Sequence, residues 1–356
     1  MTEKIKERAA RPDLYELDRQ ALEALVTSWG EPRYRARQIW EWLYRHLVTT
    51  PQDMTSLPKA LRNRLAEETT LYVPTVLATQ ESLDGETRKD LLEMADGAQV
   101  EVVLMRYINR HTACISTQVG CPVGCKFCAT GQMGFQRNLS TAEIVAQVLH
   151  FARELQAQGN RLSNVVFMGM GEPFLNYEAT LRAIRRLMDP QGLELGQRRM
   201  TVSTAGVVPG ILRFADEGLQ VNLAVSLHAA TDEVRNQIMP INRHHGLDAL
   251  FRALHTYIEK TNRQVTFEWI LIEGLTDTEQ QATALAARVA GMLAHVNLIP
   301  LNPTEAFDGA PSSPERISRF TEILNRHHVP YTLRLRRGID IQAGCGQLRA
   351  RQRATQ

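Results

Sequence analysis

The feature that most constrains the fold of this chain is an alternation of strands and helices that runs from residue 111 toward the C-terminus. Six apolar stretches are short enough to be strands, and each is followed by a stretch with helical character. They are 111–117, 164–168, 199–203, 221–227, 265–272 and 295–299. Consecutive units of this kind set their strands parallel, with helices covering the sheet. The pattern therefore predicts an α/β protein whose parallel sheet curls into an open, partial barrel.

The region before this alternation has a different character. Residues 16–69 show helical periodicity, and two β segments, 88–95 and 99–107, are joined across Asp96-Gly97, a strong hairpin signal. We therefore expect a small N-terminal helical domain, a β-hairpin linker, a core domain and a short basic tail. Their expected bounds are 1–70, 71–107, 108–347 and 348–356.

Composition narrows the class of protein. With 356 residues, 44% of them hydrophobic, the chain can bury one large core and a small second one. The net charge is only +2, so binding to nucleic acid has to come from local patches. Five cysteines, four of them between residues 114 and 128, argue for a reducing compartment. Because no signal core and no run of roughly 20 apolar residues is present, we expect a cytoplasmic monomer without membrane contact.

Three cysteines in one short loop are the strongest chemical signal in the chain. Cys121, Cys125 and Cys128 can bind one metal centre, but they leave one coordination position without a protein ligand. A four-iron cluster is usually held by four cysteines, so such a loop keeps one iron free for a substrate or cofactor. The alternative is a zinc knuckle, which needs a fourth ligand. The nearest candidates for that ligand are His111 and Cys114.

This loop, with an aromatic residue before its last cysteine, resembles the cluster loop of the radical S-adenosylmethionine (SAM) superfamily. The resemblance implies that the three cysteines hold a [4Fe–4S] cluster whose free iron binds SAM. An electron from the cluster then cleaves SAM to a 5′-deoxyadenosyl radical. The resemblance also implies a low-potential electron donor, such as flavodoxin or ferredoxin.

Glycines and small polar groups stand at the ends of the later predicted strands. Gly171-Glu172-Pro173 follows the second strand, where glycine allows close approach to a ligand and a carboxylate can accept hydrogen bonds from a cationic amine. Further residues at the ends of these strands are Ser203, Ser226, Leu227, His228 and Asn302. Each alone is more often an ordinary turn or cap. Because parallel strands end at one edge, together they predict a pocket for a polar, ribose-bearing cofactor.

The fifth cysteine, Cys345, lies between glycines in a basic stretch near the C-terminus. A lone cysteine is commonly buried and inert. Here six arginines and one acidic residue, Asp340, occupy residues 334–353. The arginines are Arg334, Arg336, Arg337, Arg349, Arg351 and Arg353. Since nearby cations lower the pKa of a thiol, the sequence predicts a nucleophilic Cys345 with a lowered pKa.

Taken together, these motifs resemble the dual-specificity adenine-C2 methyltransferases of ribosomal and transfer RNA. Cys114 before the loop, Gly-Glu-Pro, Ser-Leu-His, Ile-Pro-Leu-Asn-Pro and the terminal Gly-Cys-Gly carry the resemblance, which covers nearly the whole chain. It implies a radical SAM methyltransferase that acts on C2 of one adenine. Its partners would be 23S rRNA, methylated at the peptidyl-transferase centre, and tRNA, methylated 3′ of the anticodon.

The resemblance also implies a role for each motif residue. Cys345 accepts a methyl group and carries it to the base, Cys114 resolves the protein–RNA adduct through a disulfide, and Glu101 takes the proton from the substrate carbon. Two SAM molecules are used for each methyl group transferred. The residues expected to contact SAM are Gly171, Glu172, Ser203, Ser226, Leu227, His228 and Asn302.

Two other functions stay open at this point. The sister family that methylates C8 of an adenine uses the same two-cysteine machinery, so the motifs do not separate the two products. A more distant alternative is a non-catalytic, metal-stabilised RNA-binding protein. The residues that contact RNA are less clear: Arg33, Arg35 and Arg37 precede a helix with Trp40 and Trp42, but helical spacing favours tryptophans that pack the small domain's core.

Overall fold

One open sheet of ten strands forms the centre of this computed structural model, which describes residues 11–334 and 337–348. The strands are β1 (Thr75–Glu81), β2 (Thr87–Glu93), β3 (Gln99–Tyr107), β4 (Arg110–Cys114), β5 (Gln118–Gly120), β6 (Phe135–Asn138), β7 (Asn164–Phe167), β8 (Met200–Thr204), β9 (Asn222–Ser226), β10 (Val265–Leu271), β11 (Ala294–Pro300) and β12 (Tyr331–Leu333). All except β5 and β6, which pair with each other, lie in the large sheet in chain order. Its edges, β1 and β12, do not pair, so the sheet stays open.

Eleven α-helices are present in the described residues. They are α1 (Arg19–Ser28), α2 (Tyr34–Tyr44), α3 (Lys59–Glu68), α4 (Ala129–Met133), α5 (Thr141–Ala157), α6 (Tyr177–Leu187), α7 (Val208–Ala215), α8 (Asp232–Ile238), α9 (Leu247–Thr261), α10 (Glu279–Val289) and α11 (Pro314–Arg326). None of these helices combines the length and the apolar character needed to cross a membrane.

The parallel part of the sheet confirms the predicted α/β class and partial barrel. From β4 to β12, each pair of neighbours in the large sheet is parallel. The six predicted strands correspond to β4 and to β7 through β11. Strand β12 was not predicted, because only three residues form it and two of them are exposed. Helix α5 begins with the reciprocal cap between Ser140 and Glu143 that the sequence indicates.

The predicted hairpin is present, but it belongs to a larger unit than a linker. Strands β2 and β3 pair antiparallel on either side of the Asp96-Gly97 turn. Strand β1, missing from the prediction, pairs with β2, and β3 pairs with β4. Its sequence, Thr75–Glu81, is almost fully exposed and carries no clear apolar alternation. The sheet therefore continues across the expected boundary at residues 107–108, and one core joins the antiparallel and parallel strands.

The three N-terminal helices pack against the same core. Trp40 is only 2% exposed and lies among its side chains, which confirms core packing for this residue. Arg186 on α6 donates to the backbone oxygen of Tyr15, and Arg153 on α5 donates to that of Leu47. These contacts hold the N-terminal helices against two helices of the barrel.

Candidate active site

The strand ends and the cysteine loop enclose a cavity of about 160 Å³. The loop joins β5 to α4, and β7 to β10 end around it. Nine of the residues predicted for the site line this cavity: Cys121, Cys125, Cys128, Gly171, Glu172, Ser203, Ser226, His228 and Cys345. The barrel therefore brings residues from well-separated parts of the chain to one place.

The loop of residues 121–128, which we call the cluster loop, is held by its backbone. Cys121 N–H donates to the oxygen of Gly134, and Lys126 N–H donates to that of Ile238. Burial raises the pKa of the Cys121 thiol to about 12 and that of Cys125 well above its usual range. The loop thus presents its thiols in an apolar environment that a bound cation would stabilise as thiolates.

The three sulfurs of the cluster loop do not all lie within 4.8 Å of one another. With Zn–S bonds of about 2.3 Å, sulfurs around a single ion stand roughly 3.8 Å apart. Among the described residues, one group of three potential ligand atoms lies mutually within 4.8 Å, and it consists of Asp90, His150 and Glu154 rather than the loop cysteines. Arg88 forms ion pairs with both carboxylates of that group. The cysteines therefore fit a multi-iron cluster better than one ion.

Glu172 follows β7, and hydrogen bonds hold its carboxylate at the C-terminal end of the neighbouring strand β8. Its carboxylate accepts hydrogen bonds from Ala205 N–H at 2.6 Å and from Phe174 N–H at 3.1 Å. Burial raises its pKa to about 7, and these hydrogen bonds act against that shift. A cationic amine in the cavity would favour the ionised form.

Gly171 has a positive φ of 100° and lies tightly against β5. A Cβ at this position would stand 2.6 Å from Cβ of Gln118, whose side chain accepts a hydrogen bond from Glu172 N–H. The close approach seats Glu172 beside the cluster loop. Only glycine satisfies both the conformation and the space.

Replacing Gly171 by Ala should lower the free energy of unfolding. The loss should exceed about 1–2 kcal/mol, which is the cost of placing an alanine in the left-handed conformation. The excess comes from the contact with Gln118. Gly159→Ala is the matched control, because Gly159 has φ of 72° with open space around it. Chemical denaturation of both variants measures the difference. Equal losses would show that the contact with Gln118 is not limiting.

His228 is a neutral, oriented imidazole. Its Nδ1 accepts a hydrogen bond from Ile270 N–H at 3.0 Å, so the ring proton is on Nε2. Burial lowers its pKa to about 3, with the positive charge of Arg235 acting in the same direction. The ring contacts Phe127 edge-on at 4.9 Å between centroids. Beside Ser226 it adds a second polar group to the cavity wall.

Two predicted cofactor contacts lie outside the cavity lining. The side chain of Leu227 is fully buried in the main core, so only its backbone stands at the strand end. Asn302 donates from Nδ2 to the backbone oxygen of Cys345 at 3.1 Å. Its buried Oδ1 accepts no hydrogen bond from the residues that the structure describes. Asn302 therefore positions Cys345 and keeps one acceptor without a partner.

The C-terminal loop, residues 337–348, is attached to α4 through its carbonyl oxygens. Ala129 N–H donates to the oxygen of Gly346 at 2.7 Å, and Thr130 Oγ1 donates to that of Leu348 at 2.7 Å. Helix α4 directly follows the cluster loop. The loop therefore carries Cys345 to the edge of the cavity that contains the cysteines.

The predicted lowering of the Cys345 pKa is wrong in direction. The residue is exposed at the surface, yet desolvation by the protein around it raises the pKa of the thiol. Arg334 acts against the shift, whereas Arg337 is engaged by Glu86. The other arginines of the basic stretch, Arg336, Arg349, Arg351 and Arg353, lie outside the described residues. Among the described residues, desolvation therefore outweighs the effect of Arg334 on the pKa of the Cys345 thiol.

Cys114 ends β4 and lies close enough to Cys345 for their charges to interact. Burial raises the pKa of Cys114 to about 12, with the charge of Cys345 as the second cause. All five cysteines fall in the described residues and all are free thiols. The two cysteines outside the cluster loop therefore lie within range of each other's charge, although the sequence separates them widely.

Glu101 lies in a second, larger cavity of about 640 Å³. Its carboxylate is 3.1 Å from the ammonium of Lys89. Gln342 and Gln347 of the C-terminal loop line this cavity, whereas Cys345 and Gly346 line the smaller one. The C-terminal loop therefore borders both cavities.

Sequence reasoning missed Glu268, a buried carboxylate in the wall of the smaller cavity. It accepts from Asn297 Nδ2 at 3.0 Å, and Arg334 lies 3.5 Å away. Burial raises its pKa, and Arg334 acts against that shift. The available signal was an acidic residue inside the otherwise apolar predicted strand 265–272. Such a residue is expensive to bury unless it is paired.

Comparisons with known proteins agree with this architecture. The radical SAM superfamily matches residues 115–286, and the N-terminal domain of ribosomal RNA large subunit methyltransferases matches residues 12–71. The chain is 50% identical to dual-specificity RNA methyltransferase RlmN 1 of Myxococcus xanthus, covering 95% of this chain and 94% of that protein. It is 48% identical to a probable dual-specificity RNA methyltransferase RlmN of Chloroflexus aurantiacus, and this match covers 95% of this chain and 93% of that protein.

A solved structure has the same fold over nearly its full length. The crystal structure of a radical SAM methyltransferase from Sphaerobacter thermophilus superposes with a TM-score of 0.92 at 50% identity. The match covers 95% of this chain and 99% of that one.

Proposed function

The chain belongs to the RlmN family of dual-specificity RNA methyltransferases, and on that premise we propose that it methylates C2 of a specific adenine in 23S rRNA and in tRNA. Its cofactors are a [4Fe–4S] cluster and SAM. The observation that carries the proposal is the single cavity that contains the three loop cysteines, the Gly171-Glu172 turn and Cys345.

The residues of the cavity fit these cofactors. Three thiols that do not all lie within 4.8 Å of one another, and no fourth thiol in the loop, suit a cluster with one free iron. Cys121, Cys125 and Cys128 would hold it. The unpartnered Oδ1 of Asn302 is a buried acceptor that a cofactor donor would satisfy. When bound, the cluster supplies the electron that cleaves SAM to a 5′-deoxyadenosyl radical.

SAM would bind along the strand ends. Glu172 would accept hydrogen bonds from its amino group, with Gly171 allowing close approach. Ser203, Ser226 and the Nε2 proton of His228 would contact its polar groups, since all three side chains line the cavity. Leu227 would contribute only its backbone.

Cys345 would carry the methyl group because adenine C2 cannot take it directly. This carbon lies between two ring nitrogens and is too electron-poor to attack a sulfonium. A thiolate can attack the methyl carbon of the sulfonium, so Cys345 would become S-methylcysteine by displacement. Its raised pKa means that few molecules hold the thiolate before SAM enters, and the positive sulfonium would favour ionisation.

Three groups of the chain would complete the transfer. A second SAM is consumed to remove hydrogen from the S-methyl group, whose carbon then bonds to C2. Glu101 would take the proton from C2. The adduct would also pass its unpaired electron to a one-electron acceptor of the iron–sulfur class. Cys114 thiolate would then attack the sulfur of Cys345, and the electron pair of the broken sulfur–carbon bond would go to the carbon, which takes up a proton to complete the methyl group. This releases methylated RNA and leaves a Cys114–Cys345 disulfide. A low-potential donor such as flavodoxin or ferredoxin would supply electrons in the cytoplasm, where both RNAs are found.

Mass spectrometry of nucleosides from a deletion strain tests the product. We expect 2-methyladenosine to disappear from 23S rRNA and tRNA and to return with the intact gene, but not with a Cys345→Ala copy. Loss of 8-methyladenosine instead would assign the chain to the sister activity. Unchanged RNA modification, together with a colourless protein after anaerobic reconstitution with iron and sulfide, would favour the non-catalytic binder.

A further inference from the structure

The carboxylate of Glu101 faces a buried cation from the neighbouring strand. Lys89 on β2 and Glu101 on β3 are diagonal neighbours on one face of the ladder, since Lys89 pairs with Val103 and Leu91 with Glu101. Their charged atoms are 3.1 Å apart, and the side chains are 7% and 9% exposed. Both line the 640 Å³ cavity. A lysine is rarely buried to this extent unless it has a partner.

The same ammonium contacts the C-terminal loop. Lys89 Nζ donates to the backbone oxygen of Gln342 at 3.2 Å, three residues before Cys345. Two further contacts dock the loop on the turn between β1 and β2: Asp340 accepts from Leu83 N–H at 2.8 Å, and Arg337 pairs with Glu86. One side chain therefore links the strand that carries Glu101 to the loop that carries Cys345.

We propose that Lys89 is a positioning residue that orients the Glu101 carboxylate through their ion pair and holds the C-terminal loop against it, so that base and methyl carrier act on one adenine. The proposal rests on the proposed function, in which Glu101 takes the C2 proton and Cys345 carries the methyl group. An opposite charge within about 4 Å favours the ionised carboxylate. Removing one partner of a buried pair leaves the other charge uncompensated.

A purely structural salt bridge predicts a different outcome. If Lys89 only stabilised the fold, its loss would weaken each step of the reaction together. A positioning role affects the proton transfer from C2 and spares the earlier methylation of Cys345, because the contacts of Asp340, Gly346 and Leu348 still hold the loop. The two roles are therefore separated by measuring the steps individually.

The test uses reconstituted holoenzyme with an RNA substrate and compares Lys89→Met with wild type. We expect S-methylcysteine and 5′-deoxyadenosine to form within about twofold of wild type, whereas methylated RNA falls about 100-fold, the lower range for loss of general-base catalysis. The protein–RNA adduct should accumulate. Lys89→Arg should restore most of the product, because it keeps the cation. Lys59→Met, at an exposed position of α3, is the control.

The double variant Lys89→Met/Glu101→Gln removes both buried charges and so avoids an unpaired one. It should lose no more product than Glu101→Gln alone, because two residues that act as a unit are not additive. The positioning role would be overturned by additive losses in the double variant, or by normal product in either Lys89→Met or Glu101→Gln. It would also be overturned if Lys89→Met lowered S-methylcysteine, 5′-deoxyadenosine, methylated RNA and the protein–RNA adduct equally. Wild-type enzyme without any S-methylcysteine would instead overturn the proposed function itself.

Discussion

Protein of the Cys114→Ala variant, isolated from cells, should carry RNA covalently attached to Cys345. The methyl carrier is intact in this variant, so the reaction proceeds until the carbon is bonded to the base. Release then stops, because Cys114 is the free thiol outside the cluster loop that interacts with Cys345, and the loop thiols, Cys128 among them, would be occupied by the cluster. A band shift on a denaturing gel that nuclease treatment removes is the expected measurement.

Cys345→Ala is the matched control for this experiment. Without the carrier, neither S-methylcysteine nor methylated RNA should form, and no adduct should appear. The double variant Cys114→Ala/Cys345→Ala should behave like Cys345→Ala alone. Normal turnover by Cys114→Ala, or methylated RNA from Cys345→Ala, would rule out the two-thiol mechanism for this chain.

Replacing any one of the loop cysteines by Ala should abolish cluster binding and reduce 5′-deoxyadenosine to the level of iron-free protein. The cluster loop offers three thiols and no spare ligand, so the loss of one cysteine leaves two of the four irons without a protein ligand. The measurements are iron and sulfide content, visible absorbance after anaerobic reconstitution, and 5′-deoxyadenosine by mass spectrometry.

The fold should survive these replacements. Val123 and Phe127 of the cluster loop pack with Ile238 and Leu301, and main-chain hydrogen bonds from Cys121 to Gly134 and from Lys126 to Ile238 hold the loop. Circular dichroism and thermal melting of the iron-free variants should therefore match those of iron-free wild type. Cys345→Ala is again a useful control, because it should retain the full cluster. A variant lacking one loop cysteine that still binds iron and cleaves SAM would contradict the assignment.

The sequence predicted the parallel strands well because each is an apolar run with side chains buried in the core. Strand β1 escaped prediction for the opposite reason: its residues are exposed at a sheet edge, where polar side chains suffice. The hairpin turn at Asp96-Gly97 was visible as local chemistry. The pairing of β3 with β4 was not, since it depends on which apolar faces share a core.

The site shows the same division between local and distant information. Cysteine spacing and the Gly171-Glu172 turn are local patterns, and both lie at the predicted cavity. Counting arginines near Cys345 gave the wrong pKa direction, because desolvation of the thiol is decided by the whole fold. Lys89 and Glu268 were missed because the contacts that distinguish them, to Gln342 and to Arg334, involve residues distant in sequence.

The attachment of the C-terminal loop has a consequence for how such a sequence can change over generations. Three of its anchors are main-chain oxygens, those of Gln342, Gly346 and Leu348, which each residue type supplies equally. The side chain at 342 is exposed, so the residues accepted there are those that tolerate its left-handed φ of 52°. Gly344 has no such freedom, since a Cβ would stand 2.6 Å from Asn302 Nδ2. Selection therefore acts on the loop's backbone path and leaves much of its surface free to drift.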